Sequence, residues 1–344
     1  MPDPVWPHFP LAAAHPQVRA WLGLLANLGR SPATVDAYGR GLEQYFRFCS
    51  AAEIDPAAGG LDQVALFVRH LNGEPGPSLP ARARVSNATL QQRITALRLW
   101  HDHLVYAGVR RANPIPRGHH EPGAASAPGR PRRGLVPRQT RLPRVPDEDG
   151  WARVLARAAR DGLRNRLMFA LAYFGALRRE ELVALRVTDF DFAHRLVRVR
   201  AENTKGGRAR VVCFPESAMP SLAAYLAQRR DLVPGSGPLF LSESDRNPRQ
   251  PITRWTWSKA VRRIALEAAA PEFSTHTLRH LRLTHLARAG WTLPELASYA
   301  GHRRVQTTMI YIHLSGRDLV ERMARTVGHL DGKLALALLP GDGA

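Results

Sequence analysis

Apolar positions recur at helical spacing through most of the chain. Ser31-Pro32 pairs a capping residue with proline at the first helical position, and Val35, Tyr38, Leu42, Tyr45, Phe46 and Cys49 follow on one face. Residues 61–72 read as a short helix, after turns at Asp55-Pro56 and Gly59-Gly60. Thr89-x-x-Gln92 has the form of a capping box and leads into Leu90, Ile94, Leu97, Leu104 and Val105. Residues 15–116 therefore predict a small all-helical bundle of four or five helices. A second helical set is predicted at 148–160, 163–175, 180–185, 216–230, 253–268, 276–289, 293–300, 304–313 and 317–327. Within it the period changes once. Leu196 to Arg200 alternates, Gly206-Gly207 turns and Arg210 to Phe214 returns, which is a hairpin with Lys205 at its turn.

A length of 344 residues suits two domains. Composition marks the boundary between them. Residues 117–144 hold nine Gly or Pro and seven Arg against one acid, Glu121, and read as a basic, flexible linker. Residues 1–14 are Pro-rich and read as a loose tail. The second domain is expected over 145–327, with 328–344 as a C-terminal tail.

Charge narrows the class of partner. Lys and Arg total 49 against 29 acids, a net +20 with a sequence pI near 11.3. Such a chain expects a polyanion, nucleic acid first and an anionic membrane surface second. No apolar run approaches the roughly 18 residues of a membrane span. Met1-Pro2-Asp3-Pro4 does not open a secretory leader. Cys49 and Cys213 are the only cysteines, so neither a disulfide framework nor a zinc ribbon is expected, and the setting is a reducing cytoplasm. The basic residues comprise 46 Arg and three Lys: Lys205, Lys259 and Lys333. Against that bias, a hairpin lysine stands out.

The candidate chemistry lies in the second domain. Arg178 sits in Ala176-Leu177-Arg178-Arg179-Glu180-Glu181-Leu182. In His276-Thr277-Leu278-Arg279-His280, a His and an Arg three apart share a helix face and can give several donors to one phosphate. His276 and His280 are four apart, as a metal pair can be. The Glu that follows the first His of a zincin helix is missing, and neither Cys is near in sequence. Gly301-His302 closes a turn, and Tyr311 lies nine residues beyond His302.

In this order and with these gaps, the residues resemble the tyrosine recombinase family, also called phage integrases. The resemblance covers about 145–327 and extends more weakly to 15–116, similar to that family's helical (SAM-like) core-binding domain. Two positions depart from its pattern: Ala176 stands where Gly is common, and Ala300 where Leu is common. The resemblance implies a mainly α fold with a small β-hairpin or sheet in the catalytic domain. The two domains would form a C-shaped clamp on duplex DNA.

It also implies a mechanism. Tyr311 is the expected nucleophile, forming a covalent 3′-phosphotyrosine without metal, ATP or other cofactor. Arg178, Arg279, His276 and His302 would bind the non-bridging oxygens, and His276 could help take the tyrosine proton. Lys205 would protonate the 5′-oxygen, because Arg cannot give up a proton at useful pH. Glu181 and His280 are expected to support them. A homotetramer on two duplexes follows, with 317–327 and the tail as a segment passed to a neighbour. Two other readings remain open: a type IB topoisomerase that nicks and reseals, and an inactive DNA-binding regulator.

Overall fold

The computed structural model describes residues 4–76, 79–81, 83–115, 135–137, 139, 143–204, 207–233, 235–303 and 305–314. The chain divides into two compact units, residues 1–141 and 142–344.

The first unit is helical: α1 (Pro10–Ala14), α2 (Pro16–Asn27), α3 (Pro32–Ala51), α4 (Leu61–Leu71) and α5 (Asn87–Tyr106). Ser31 caps α3 by accepting the Thr34 N–H at 3.3 Å. The α5 cap differs from the sequence expectation. Ser86, rather than Thr89, is the capping residue, and its Oγ accepts the Thr89 N–H at 3.2 Å. Leu42, Tyr45, Phe46 and Cys49 of α3 and Leu90, Ile94, Leu97, Trp100 and Leu104 of α5 are buried in one core.

Residues 6–14 are not the loose tail expected. They form a 3-10 turn (Trp6–His8) and α1. Phe9 is fully buried, and its ring occupies the space above Gly39, where an added Cβ would lie 2.5 Å from it. Buried Glu43 of α3 accepts the Ala12 N–H at 2.9 Å. Phe9→Ala is therefore expected to cost the first unit about 3–5 kcal/mol, as for other buried aromatic deletions. A denaturant titration of the intact chain checks this, and an unchanged midpoint would show that the segment is not anchored.

Part of the expected linker also belongs to the first unit. Leu135 and Val136 pack against its core. The Gln91 and Asn87 amides of α5 donate to the Val136 and Pro137 carbonyls at 2.8 and 2.9 Å. Residues 116–134 lie outside the described residues.

The second unit begins with α6 (Glu148–Ala158), α7 (Leu163–Phe174) and α8 (Arg179–Val183). An antiparallel sheet follows, β1 (Phe190–Asp191), β2 (Leu196–Val199) and β3 (Arg210–Cys213), in that order. The unit continues with α9 (Met219–Leu232), α10 (Arg254–Glu267), α11 (Thr275–Arg288), α12 (Leu293–Ala300) and α13 (Met309–Leu314). The predicted hairpin is present, with Val197 opposite Val212 and Val199 opposite Arg210. Val197, Val199 and Val212 face the core. The helix predicted at 304–313 divides into a 3-10 turn (Val305–Thr307) and α13. The helix predicted at 317–327 lies outside the described residues.

Helix α11 positions the site. It packs against α7, α10, α12 and α13, and Leu278, Leu281, Leu283 and Leu286 are buried around it. His276, Arg279 and His280 lie in its N-terminal turns.

Candidate active site

Arg178 is the N-cap of α8, and Glu181 stands at the third helical position. The Glu181 carboxylate accepts the Arg178 N–H at 2.8 Å and its Nη1 at 2.8 Å. From the other side Arg210 donates through Nη1 at 3.0 Å and Nη2 at 2.7 Å. Burial alone would raise the Glu181 pKa. The hydrogen bonds and charge of Arg210, with Arg178 behind them, outweigh it and hold the carboxyl at about 2. One fixed anion thus orients two guanidinium groups.

Arg279 is 4% exposed. Its Nη1 donates to the Ala176 carbonyl at 2.6 Å, and its Nη2 donates to the Ala300 carbonyl and to His302 Nε2, the latter at 3.1 Å. A guanidinium has five N–H donors. Three are used in these bonds, and the guanidinium also hydrogen-bonds the Tyr311 hydroxyl. Burial, then the charges of Arg178 and Arg210, lowers the Arg279 pKa to about 9, so the group stays charged at neutral pH.

Both carbonyls are aimed by unusual backbone. Ala176 has φ +44°, in the left-handed region. This is the position where the resemblance pattern carries Gly, and a left-handed turn is the physical reason. Gly301, with φ +64°, ends α12 and lets Arg210 approach: a Cβ there would lie 3.1 Å from Arg210 Cδ. Arg210 Nε donates in turn to the Tyr299 carbonyl at 2.9 Å.

His302 follows this turn. Arg279 has only donors, so Nε2 accepts, and Nδ1 donates to Thr308 Oγ1 at 2.9 Å. Burial and then the charges of Arg279, Arg178 and Arg210 push its pKa down to about 3. The imidazole is neutral and already committed at both nitrogens. To donate to a phosphate oxygen, as the sequence suggested, it must give up its bond from Arg279.

Tyr311 lies on α13, 2% exposed. Its ring is parallel to His302, 7° between planes at 6.3 Å. Its hydroxyl meets His280 Nδ1 at 3.0 Å. Burial raises the phenol pKa, and the charges of Arg279 and Arg178, with a hydrogen bond from Arg279, pull it partly back. His276 is exposed at the edge of the site, its ring edge-on to His280 at 6.2 Å. The side chain against the phenol is therefore His280, not His276. Lys205 lies outside the described residues, between β2 and β3.

Arg178, Glu181, Arg279, His280, His302 and Tyr311 are thus brought together, with His276 at the rim. Sequence reasoning missed Arg210 and Thr308. Arg210 had a signal: period two puts it on the same strand face as buried Val212, and an inward charge needs a buried partner. Beside Arg178 the surface is cationic and aromatic. Exposed Trp255 lies under the guanidinium groups of Arg179 and Arg254, at 5.5 and 5.1 Å. Among the described residues no helix is long and apolar enough to cross a membrane, and no cluster of three or more His, Cys, Asp or Glu could hold a metal ion.

Residues 147–317 match the family described as phage integrase family. Tyrosine recombinase XerC of Pelobacter propionicus is 30% identical over 310 residues, spanning 89% of this chain and 93% of that protein. XerC of Chromohalobacter salexigens is 32% identical over 297 residues, 85% and 89% of the two chains. Among solved structures, the XerH site-specific recombinase bound to its palindromic difH substrate superposes with a TM-score of 0.63 at 19% identity, covering 86% of this chain and 80% of that one. The Tn1549 transposon integrase in complex with transposon right end DNA gives 0.57 at 16% identity, covering 83% and 92%. These two likenesses concern the fold. The sequence matches show the rest: this chain belongs to the tyrosine recombinase (phage integrase) family of site-specific recombinases.

Proposed function

We propose that this chain cuts and rejoins duplex DNA at specific sites through a covalent 3′-phosphotyrosine on Tyr311. One observation carries the reading: the charged Arg279 hydrogen-bonds both the Tyr311 hydroxyl and the imidazole on which the Tyr311 ring stacks. Arg178, fixed by Glu181, adds a second fork. Together they suit the non-bridging oxygens of a phosphodiester.

In the forward step Tyr311 Oη bonds to phosphorus and the bond to the 5′-oxygen breaks. Lys205 supplies the leaving oxygen's proton. The phosphotyrosine conserves the bond, so a new 5′-hydroxyl can reverse the step and complete strand exchange. Both units grip the duplex, and the +20 charge supplies the affinity for its backbone. Four copies act on two duplexes, with residues 317–344 as the segment exchanged between neighbours. The reaction takes place in the cytoplasm, where the DNA is.

A nicked duplex that loses a short fragment after cleavage tests this reading. The intact protein is expected to become covalently attached, and Tyr311→Phe to bind with equal affinity yet remain free. Lys205→Ala is expected to be slow on ordinary DNA and rescued by a 5′-bridging phosphorothiolate, whose sulfur leaves unprotonated. Capture by the Phe variant would contradict the nucleophile, and failure of rescue would contradict the acid. Relaxation of supercoiled DNA without exchanged products would make the protein a topoisomerase.

A further inference from the structure

We propose that His280 is the group that takes the proton from Tyr311 as the phenol attacks. The inference rests on the reaction proposed above and assigns a step within it. His280 Nδ1 lies within hydrogen-bond distance of Tyr311 Oη, at 3.0 Å, and the hydroxyl also hydrogen-bonds the Arg279 guanidinium, which cannot take up a proton. With the ring proton on Nε2, Nδ1 accepts and the phenol donates, which is the tautomer the proposal requires.

The other two histidines are placed for different work. His302 has both nitrogens engaged, one by Arg279 and one by Thr308. His276 meets His280 edge-on and is exposed at the rim. His280 is also the residue after Arg279 on α11. The base and the phosphate clamp are thus carried by adjacent positions of one packed helix.

The surroundings make the base conditional on substrate. His280 faces His276 and Arg279 on its own helix, His302 after α12, and Tyr311 on α13. Burial, then His276 and Arg279, pushes its pKa down to about 4, so the free imidazole keeps its lone pair. A second cation beside Arg279 is unfavourable, so the phenol keeps its proton until a counter-charge arrives. A phosphodiester brings a negative charge to the guanidinium groups and raises the basicity of His280. The O–H bond then breaks, the proton moves to Nδ1, the Oη–P bond forms and the P–O5′ bond breaks. On the return, His280 gives the proton back to the departing tyrosine oxygen.

Single-turnover covalent capture across pH 5–9 tests this, using nicked DNA with a 5′-bridging phosphorothiolate so that Lys205 is not needed. His280→Asn keeps an acceptor near the position of Nδ1 but takes no proton. It is expected to react on the order of 100-fold more slowly, and to lose the acidic limb of the wild-type profile, with DNA affinity unchanged. His276→Asn is expected to retain that limb. Wild-type speed or faster in His280→Asn would overturn the proposal and make the contact a resting-state latch. Loss of the limb in His276→Asn alone would move the role to His276. A flat wild-type profile would also refute it, whatever the variants do. Failure of the wild type itself to form any covalent complex would instead sink the underlying phosphoryl-transfer reading.

Discussion

Arg279→Lys is expected to slow covalent capture of nicked DNA roughly 1,000-fold while leaving a folded, DNA-binding protein. Lysine keeps the charge but loses the fork. The guanidinium of Arg279 holds the carbonyls of Ala176 and Ala300 and the His302 ring at once, and reaches the Tyr311 hydroxyl as well. One ammonium cannot span those partners and a phosphate together. Removing a single preorganised donor from an oxyanion site costs on the order of 10²–10³ in rate, and here the remaining fork is lost as well. Stability should fall too, by about 1–3 kcal/mol for each buried carbonyl left unpaired. The two effects separate by experiment: capture is measured at saturating protein, and unfolding by urea. A rate within tenfold of wild type would show that Arg279 only braces the backbone.

Glu181→Ala is expected to cost the second unit about 3–5 kcal/mol, because it strands Arg210 with its charge buried. The Arg210 side chain is 7% exposed and that of Glu181 fully buried. Such a loss is a large part of the 5–15 kcal/mol typical of a whole domain. The pH dependence has a definite sign. The folded pKa of Glu181 is about 2, below its ordinary 4.5. A depressed acid stabilises the fold fully above its unfolded value and loses that contribution as pH falls toward the folded one. The window is therefore pH 4.5 down to 2, and the contribution is on the order of 3 kcal/mol. Urea midpoints of wild type and Glu181→Gln should differ most near neutral pH and converge in acid. A constant difference across that range would show that the carboxylate charge is not what holds Arg210.

Much of this arrangement was legible because its carriers obey local rules. The helical faces around Leu42 and Leu278 follow their spacing, and the hairpin follows its change of period. The His276 to His280 box falls on one helix because positions three and four apart must share a face. What escaped depended on distant partners. Pro2, Pro4, Pro7 and Pro10 made the first residues look loose, yet Pro10 starts a helix, and Phe9 is anchored thirty residues away on Gly39. Arg210 was one arginine among 46 until Glu181 lay opposite it. Strand β1 has two residues, too few to alternate. Ala176 was noted only as a departure from pattern, and its left-handed backbone shows what the position demands.

The central claim is that Tyr311 is the atom-donating residue, and mapping the adduct tests it most directly. After capture on nicked DNA, nuclease trimming and trypsin digestion, mass spectrometry should find the nucleotide on the peptide from Val305 to Arg317. That peptide contains one tyrosine, Tyr311. The phosphodiester is expected there and nowhere else. An adduct on any of the other six tyrosines, or on a serine or histidine, would contradict it.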